Sequence, residues 1–392
     1  MSSDGTIVEV DAGNHDRENT VVYAAYACVP GEHKGHSLAE VDDSGNLGDL
    51  VPMQCLPMPG DCPEAETRNS LVAWVVPELG AGEKKRYCIL DQPAEPADTG
   101  EVTVDLVEGV SAEFKINGET FTRYNFSDEF VRPNAYPVYG PGGVEVTEYA
   151  ETDHPHHKSI YVALGEVNGN DNWSEMEGHS FIRNQSLEVL AEGPILAQLR
   201  AVNDWVDPKG SKFMEDHTII TVHNMPEGGR LMDWDITLAA TECGIHIGDT
   251  KEAGTLSVRM NTALHERNGG TIINAYGGLR ESENWGKPSP WVDYYGEVDG
   301  TKCGLGIFDS PFNLRHPTTW HVRSYGLFTA NCWGYSYFTD DQSKRGDYVI
   351  PQGGSVNFVY RVYVHAGDNV EAKVGDRYFD FAYPPTVSAV EQ

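Results

Sequence analysis

The chain has 392 residues, 40% of them apolar, which is too apolar for disorder and long enough for more than one core. Its 60 acidic side chains outnumber 28 basic ones, and the formal charge of −32 repels phosphate backbones and anionic lipid. Nucleic acid and membrane are therefore not expected partners, and no run approaches the roughly 20 consecutive apolar residues of a spanning helix.

The first twenty residues lack the basic start and apolar run of a secretory leader, so a cytoplasmic location is expected. Seven cysteines fall at 28, 55, 62, 88, 243, 303 and 332 with no C-x-x-C pair, which reads as reduced, buried thiols. Cys55 and Cys62 are the pair that could bridge in an exported protein. Strand-like alternation starts at Ile7, Val8 and Val10. The runs "NTVVYAAYACV" and "NSLVAWVVPELGAGEKKRYCIL" predict a small β-sandwich over residues 1–95. "LDQPAEPADTGE" then reads as a linker, and residues 96–392 as a larger β-sandwich domain carrying the active site.

In that second part "LMDWDITLA" puts Met232, Trp234, Ile236 and Leu238 on one face and Asp233, Asp235 and Thr237 on the other. "SVNFVYRVYVHAG" alternates in the same way, and "HTIITVHN" and "LEVLAEGPILAQLRAVNDW" are further strands. Gly (41) and Pro (22) punctuate these runs, and almost nothing reads as helix, so the chain is expected to be all-β.

Four clusters carry candidate chemistry. "DHPHHK" places His154, His156 and His157 around Pro155, which keeps the segment out of a central strand and makes it a loop. In an extended segment His154 and His156 point together, and such a pair can share a divalent metal ion or serve as acid and base. A hydrogen-bonded turn is the competing explanation. "GEVNGNDNWSEMEGH" follows, with Glu166, Asn168, Trp173 and Glu175. Carboxylate and amide groups beside an indole suit vicinal hydroxyls and a sugar face, although Asn-Gly runs also make plain turns.

"ENWGKPSPWVDYYGEVDG" is expected to be a loop whose Trp285, Trp291 and Asp293 line a cleft, or else plug the end of a sandwich. "FDSPFNLRHPTTWHVRSYGLFTANCWG" holds Asn313, and its alternation puts His321 and Arg323 on one strand face, a plausible acid or base beside an oxyanion clamp. "GTLSVRMN" places Arg259 in a strand, and "EFVRPNAYPVYGPGG" places Arg132 before a proline. No Walker A loop, GxGxxG helix start, GxSxG or HExxH occurs, so no nucleotide or flavin is expected.

"RPNAYPVYGPGG", "DHPHHKSIYVALGEVNGNDNW", "NWGKPSPWVDYYG", "SPFNLRHPTTWHVRSYGLFTANCWG" and "YRVYVHAGD" together resemble a bacterial family labelled "methane oxygenase PmoA". The resemblance runs over roughly residues 5–367, with "HHK" where the family has "HHR". It implies a β-sandwich protein of carbohydrate-degrading bacteria. Oxygenase chemistry is not expected, since no membrane segment exists and the chain as given opens at Met1 rather than at a histidine.

The resulting expectation is a carbohydrate-active enzyme cleaving a glycosidic bond on a galactose-mutarotase-like supersandwich. His156, His157, Glu166 and His321 would supply acid–base groups and Arg323 an oxyanion clamp. Lys158 and Arg259 would hold charge on an oligosaccharide or glycoside. Trp173, Trp285 and Trp291 would stack on sugar rings, with Asn168, Glu175, Asp293 and Asn313 as further substrate contacts. His154 with His156 is the candidate metal pair. Hydrolysis would pair Glu166 with Glu175 or Asp293; β-elimination would use a His or Lys base. A mutarotase or epimerase, and a non-catalytic glycan-binding protein, are the alternatives.

Overall fold

The computed structural model describes residues 5–30, 35–58, 70–93, 100–149, 152–225 and 229–390. Two eight-stranded antiparallel sheets form its bulk. The first runs Trp320–Val322, Leu327–Ala330, Ala253–Arg259, Ile160–Leu164, Asn134–Val138, Glu119–Asn125, Ser111–Ile116 and Val102–Val107. The second runs Phe181–Ala191, Leu196–Val206, Lys212–His223, Arg230–Ala239, Ser355–Ala366, Thr301–Asp309, Trp291–Val298 and Thr271–Asn274.

Alternation decides which face of each sheet is dry, because successive side chains in a strand point to opposite sides. Met232, Trp234, Ile236 and Leu238 enter the core, where they meet Ile160, Val162, Leu256, Val258 and Phe328 of the first sheet. Burying each such side chain contributes about 1.5–3 kcal/mol. Trp234 is 1% exposed, so truncating it to Ala costs about 3–5 kcal/mol by leaving a cavity between the sheets.

A smaller sandwich precedes the large one. Its five-stranded sheet (Thr386–Ala389, Gly5–Asp11, Lys84–Leu90, Ser37–Val41, Leu47–Val51) faces a three-stranded sheet (Arg17–Tyr26, Ser70–Leu79, Met53–Pro57). Val10, Val22, Leu38, Val72, Trp74 and Tyr87 fill the space between them. The all-β fold of a small sandwich followed by a large one is therefore as the alternation implied. The final strand pairs with the first, Val8 opposite Ala389, so both ends of the described chain sit in the small sandwich. Residues 94–99, where the linker is expected, and Cys62 lie outside the described residues. The other six cysteines are free thiols.

Among the described residues three short α-helices form, at Arg280–Asn284, Tyr335–Phe338 and Val374–Ala382, in keeping with the near absence of helix in the sequence pattern. The last is nine residues long, too short for its periodicity to stand out, and owes its stability to docking rather than propensity. Arg17 clamps it through Asp380 at 3.1 Å and the Tyr383 carbonyl at 2.7 Å. The run at 291–298, expected to be a loop, is a strand. Pro288 and Pro290 stop just short of it, and Val292 and Tyr294 face the core while Trp291 and Asp293 face away.

Candidate active site

One face of the first sheet lies on the core; the other carries a grid of polar side chains. Register sets Asn134, Tyr161, Ser257, Thr329 and His321 side by side on five adjacent strands. The next row outward holds Arg259 opposite Leu327, with Arg323 just beyond its strand, bonded through its amide to the Leu327 carbonyl. The "DHPHHK" loop lies over this grid. It turns twice around Pro155 before entering Ile160–Leu164.

Arg259, 1% exposed, is the hub. Its Nε donates to Glu148 at 2.6 Å, one Nη to Nδ1 of His157 at 3.1 Å, and the other to Asp153 at 3.0 Å. The second oxygen of Glu148 accepts from the Thr262 hydroxyl at 2.6 Å. Tyr325 lies against the guanidinium, 5.4 Å from ring centre to Cζ. A guanidinium only donates, so Nδ1 of His157 carries a lone pair and the proton of the neutral ring sits on Nε2. Burial, then the charges of His156 and Arg259, holds His157 far below the ordinary histidine range.

His156 is half-buried, edge-on to His157 at 4.4 Å and to Trp173 at 5.4 Å. Burial first and Arg132 next lower its pKa to about 4. His154 stacks between His157, at 4.8 Å, and Tyr325, at 4.6 Å, with Nδ1 3.1 Å from Asp153.

His321 closes the far edge. Its Nδ1 bonds to the Lys251 carbonyl, which fixes the proton there and leaves Nε2 as an acceptor. That Nε2 is buried without a hydrogen-bond partner among the described residues. Burial lowers His321 to about 4, against the opposing pull of the Lys251 carbonyl and the Glu252 carboxylate. Trp173 beneath His156 and His157 packs on Tyr161, and Tyr161 shares the row of His321, so these distant segments lie on one face of the sheet. Glu252 is 43% exposed and paired with Lys251. Arg323, 32% exposed, donates to Glu281 at 2.7 Å and stands 5.9 Å from the Tyr325 ring.

The remaining cations are used inside. Arg132 donates to the carbonyls of His156 (3.3 Å) and Trp173 (3.2 Å) and faces Glu175 at 3.4 Å. Lys158 donates to the Pro155 carbonyl at 2.6 Å, pairs with Glu175 at 3.1 Å and lies over Tyr149. Arg132, Lys158 and Arg259 are all buried and hold the loop to the sheet. Trp173 is buried too, packed beneath His156 and His157 and against Tyr161 at 5.8 Å.

The other expected contacts are placed elsewhere. Glu166 is exposed on a separate four-stranded sheet, opposite Asp171, and no hydrogen bond or ion pair among the described residues joins it to the histidines. Asn168 completes a turn, bonded to Gly244 at 3.2 Å and to the His246 amide at 2.7 Å. Trp285 follows the helix that brings Glu281 to Arg323, and packs edge-on to Phe338. Trp291 belongs to a cluster with Phe308 and Tyr363 on the far face of the second sheet. Asp293 on that face is fully buried and pairs with His365 at 3.0 Å. Asn313 ties a turn to Asp309 and to both backbone groups of Val359. Glu148, Glu252 and Glu281 escaped the sequence reading, because single acids among 60 carry no local signal.

The His154 and His156 rings stand 5.8 Å apart, edge-on. No group of three or more His, Cys, Asp or Glu among the described residues is arranged to hold a metal ion. A separate groove of about 690 Å³ is lined by Arg123, Tyr139 and Arg230 among others, and by none of the histidines. No helix among the described residues is long and apolar enough to cross a membrane.

Residues 111–379 match DUF6807, a family of unknown function, and the chain belongs to that family. No curated protein matches it in sequence. Among solved structures, an α-mannosidase from Enterococcus faecalis V583 is similar at 12% identity and a TM-score of 0.45, over 100% of this chain and 46% of that one. A glycosyl hydrolase family 38 protein from Enterococcus faecalis is similar at 12% identity and a TM-score of 0.42, over 99% and 47%. The α-galactosidase from Lactobacillus brevis follows at 8% identity and a TM-score of 0.33, over 71% and 41%. The chain thus spans less than half the length of each of these proteins.

Proposed function

We propose that this member of the DUF6807 family is a cytoplasmic carbohydrate-active enzyme that breaks a glycosidic bond by β-elimination. The sugar class is supported by the motif resemblance to proteins of carbohydrate-degrading bacteria; the reaction class is supported by the site. One observation carries the latter: the Lys251 carbonyl bonds to His321, which sets the adjoining half-exposed Glu252 next to that imidazole, with the part-exposed Arg323 two residues further along.

Glu252 is the base that takes the proton from the carbon next to a sugar carboxylate. Neutral His156 donates to oxygen, since an imidazole with lowered pKa is a hydrogen-bond donor without being an acid ion. Arg323 neutralises the carboxylate as charge develops on it. The C–H bond breaks as its proton passes to Glu252, a C=C bond forms, the C–O bond to the leaving sugar breaks, and that oxygen takes its proton from solvent water while Glu252 later returns its own proton to solvent. Two-carboxylate hydrolysis has less support, because Glu166 and Asp293 lie elsewhere and Asp153 is tied to Arg259.

The test is a panel of uronate-containing and neutral glycosides, read by ultraviolet absorbance of the unsaturated product. Glu252→Gln and His156→Ala should each lower turnover about 100- to 10,000-fold. A saturated product carrying oxygen from solvent water would replace elimination by hydrolysis. Tight binding without turnover across the panel would leave only the glycan-binding alternative. Because one acid and one base suffice for ring opening, Glu252 and His156 also suit a mutarotase, and polarimetry of a freshly dissolved anomer separates that reading.

A further inference from the structure

Behind the loop, the outer row of the first sheet contains four polar atoms with unusual company. The Tyr161 hydroxyl, Ser257 Oγ, Thr329 Oγ1 and His321 Nε2 are all buried and have no hydrogen-bond partner among the described residues. Their residues are 0%, 0%, 0% and 1% exposed. They are not scattered. Tyr161 is opposite Ser257, Ser257 opposite Thr329, and Thr329 opposite His321, on four consecutive strands. Directly opposed residues share a face with Cα atoms roughly 4.5–5.5 Å apart. None of the four atoms is bonded to another, so a water between neighbours along the row would bridge them.

We propose that this row binds a file of ordered water molecules running from Nε2 of His321 to the Tyr161 hydroxyl, and that Thr329, Ser257 and Tyr161 are thereby positioning residues for His321. The inference rests on the reading of His321 as part of the site. Nε2 accepts, since Nδ1 already donates to the Lys251 carbonyl, and none of the three hydroxyls bonds to it or to another, so a bridging donor is needed. Water supplies two donors and two acceptors per molecule. Trp173 packs on Tyr161 at 5.8 Å, and no residue of the row is more than 1% exposed, so the row is shielded from bulk solvent. Polar atoms buried in this way are almost always satisfied, by water where protein offers nothing.

The consequence for His321 is a fixed donor at Nε2, which holds the ring in one tautomer from both sides. The charged and titratable groups facing this ring are Glu252 and Lys251 from the preceding loop, Arg323 from its own strand end, and His157 from the overlying turn. None of these reaches Nε2 with a hydrogen bond.

The experiment uses the full chain labelled with ¹⁵N-histidine, without any substrate. In the wild type, Nε2 of His321 should show the shift of a hydrogen-bonded lone pair. Thr329→Val should move it toward the value of a free lone pair, and Thr329→Ser should restore it. Ser257→Ala provides a second interruption of the file should the valine disturb the strand. A free-lone-pair signal in the wild type, or a signal unmoved by both Thr329→Val and Ser257→Ala in otherwise native spectra, overturns the proposal. A crystal structure with waters within hydrogen-bond distance of the four atoms supports it, and a dry row overturns it. Absence of sugar turnover would sink the enzymatic reading and leave these signals untouched, so the two failures are distinguishable.

Discussion

Arg259 donates to Nδ1 of His157 across 3.1 Å, and this contact decides which nitrogen of His157 keeps its proton. The same guanidinium neutralises Glu148 and Asp153, so one side chain sets the tautomer of a site histidine and discharges the two carboxylates that anchor its loop. An ion network, together with the Trp173 and Tyr325 rings, thus holds the loop.

Removing that cation should be severe. Arg259→Met leaves Glu148, 7% exposed, as a buried charge with no guanidinium, and should cost about 3–5 kcal/mol in urea unfolding. Arg259→Lys keeps the charge, loses the fork and should fall between. A methionine variant as stable as the wild type would contradict the hub.

Acid should act through the histidines. His156 and His321 titrate near 6.5 when unfolded and about 4 when folded. Between those values the unfolded chain binds protons that the folded chain refuses, so falling pH favours unfolding throughout that window. Above 6.5 neither state is protonated and nothing is lost; below about 4 both are, and the penalty is complete. For the buried His321 the loss is on the order of 3 kcal/mol. His321→Gln should flatten the fall of melting temperature with acidity, and an unchanged slope would count against the assignment.

Glu252 should tune both imidazoles from a distance. Glu252→Gln removes the negative charge that raises them, so His156 and His321 should both titrate at still lower pH by NMR. Stability should stay within about 0.5 kcal/mol, as expected for a half-exposed side chain. Titration curves that superimpose on the wild type would show that Glu252 does not face the site.

Close strand approach beside the row should be intolerant of a methyl group. A Cβ on Gly254 would come within 2.3 Å of both the Ala330 carbonyl oxygen and Thr329 Oγ1. The carbonyl belongs to the paired backbone and cannot swing aside. Gly254→Ala should therefore cost about 1–3 kcal/mol or more by calorimetry, and should displace Thr329. A neutral substitution would mean that the paired strands can part here.

Much of the fold was legible locally. Met232, Trp234, Ile236 and Leu238 announce both a strand and its buried face, because the side-chain period of a strand is two and needs no partner to be read. The helix Val374–Ala382 was not legible, since its stability comes from Arg17, more than 350 positions away. Of the candidate site, "DHPHHK" stood out by density of imidazole alone. That His156 and His157 lie on the same sheet face as His321 did not follow from any spacing, and neither did the placement of Trp291 and Asp293 on another sheet.

By itself the sequence determined that the chain is a β protein, which residues of runs such as Arg230–Ala239 and Ser355–Ala366 face the dry side, and that a proline-broken histidine loop precedes a strand. Tertiary structure alone decided strand order and register, and through them that His321, Thr329, Ser257 and Tyr161 share a row and that Arg259 serves the loop above it. The physical reason is range. Alternation reports the contrast between core and solvent at each residue, whereas the identity of a neighbour across a sheet depends on long-range pairing that no local pattern encodes.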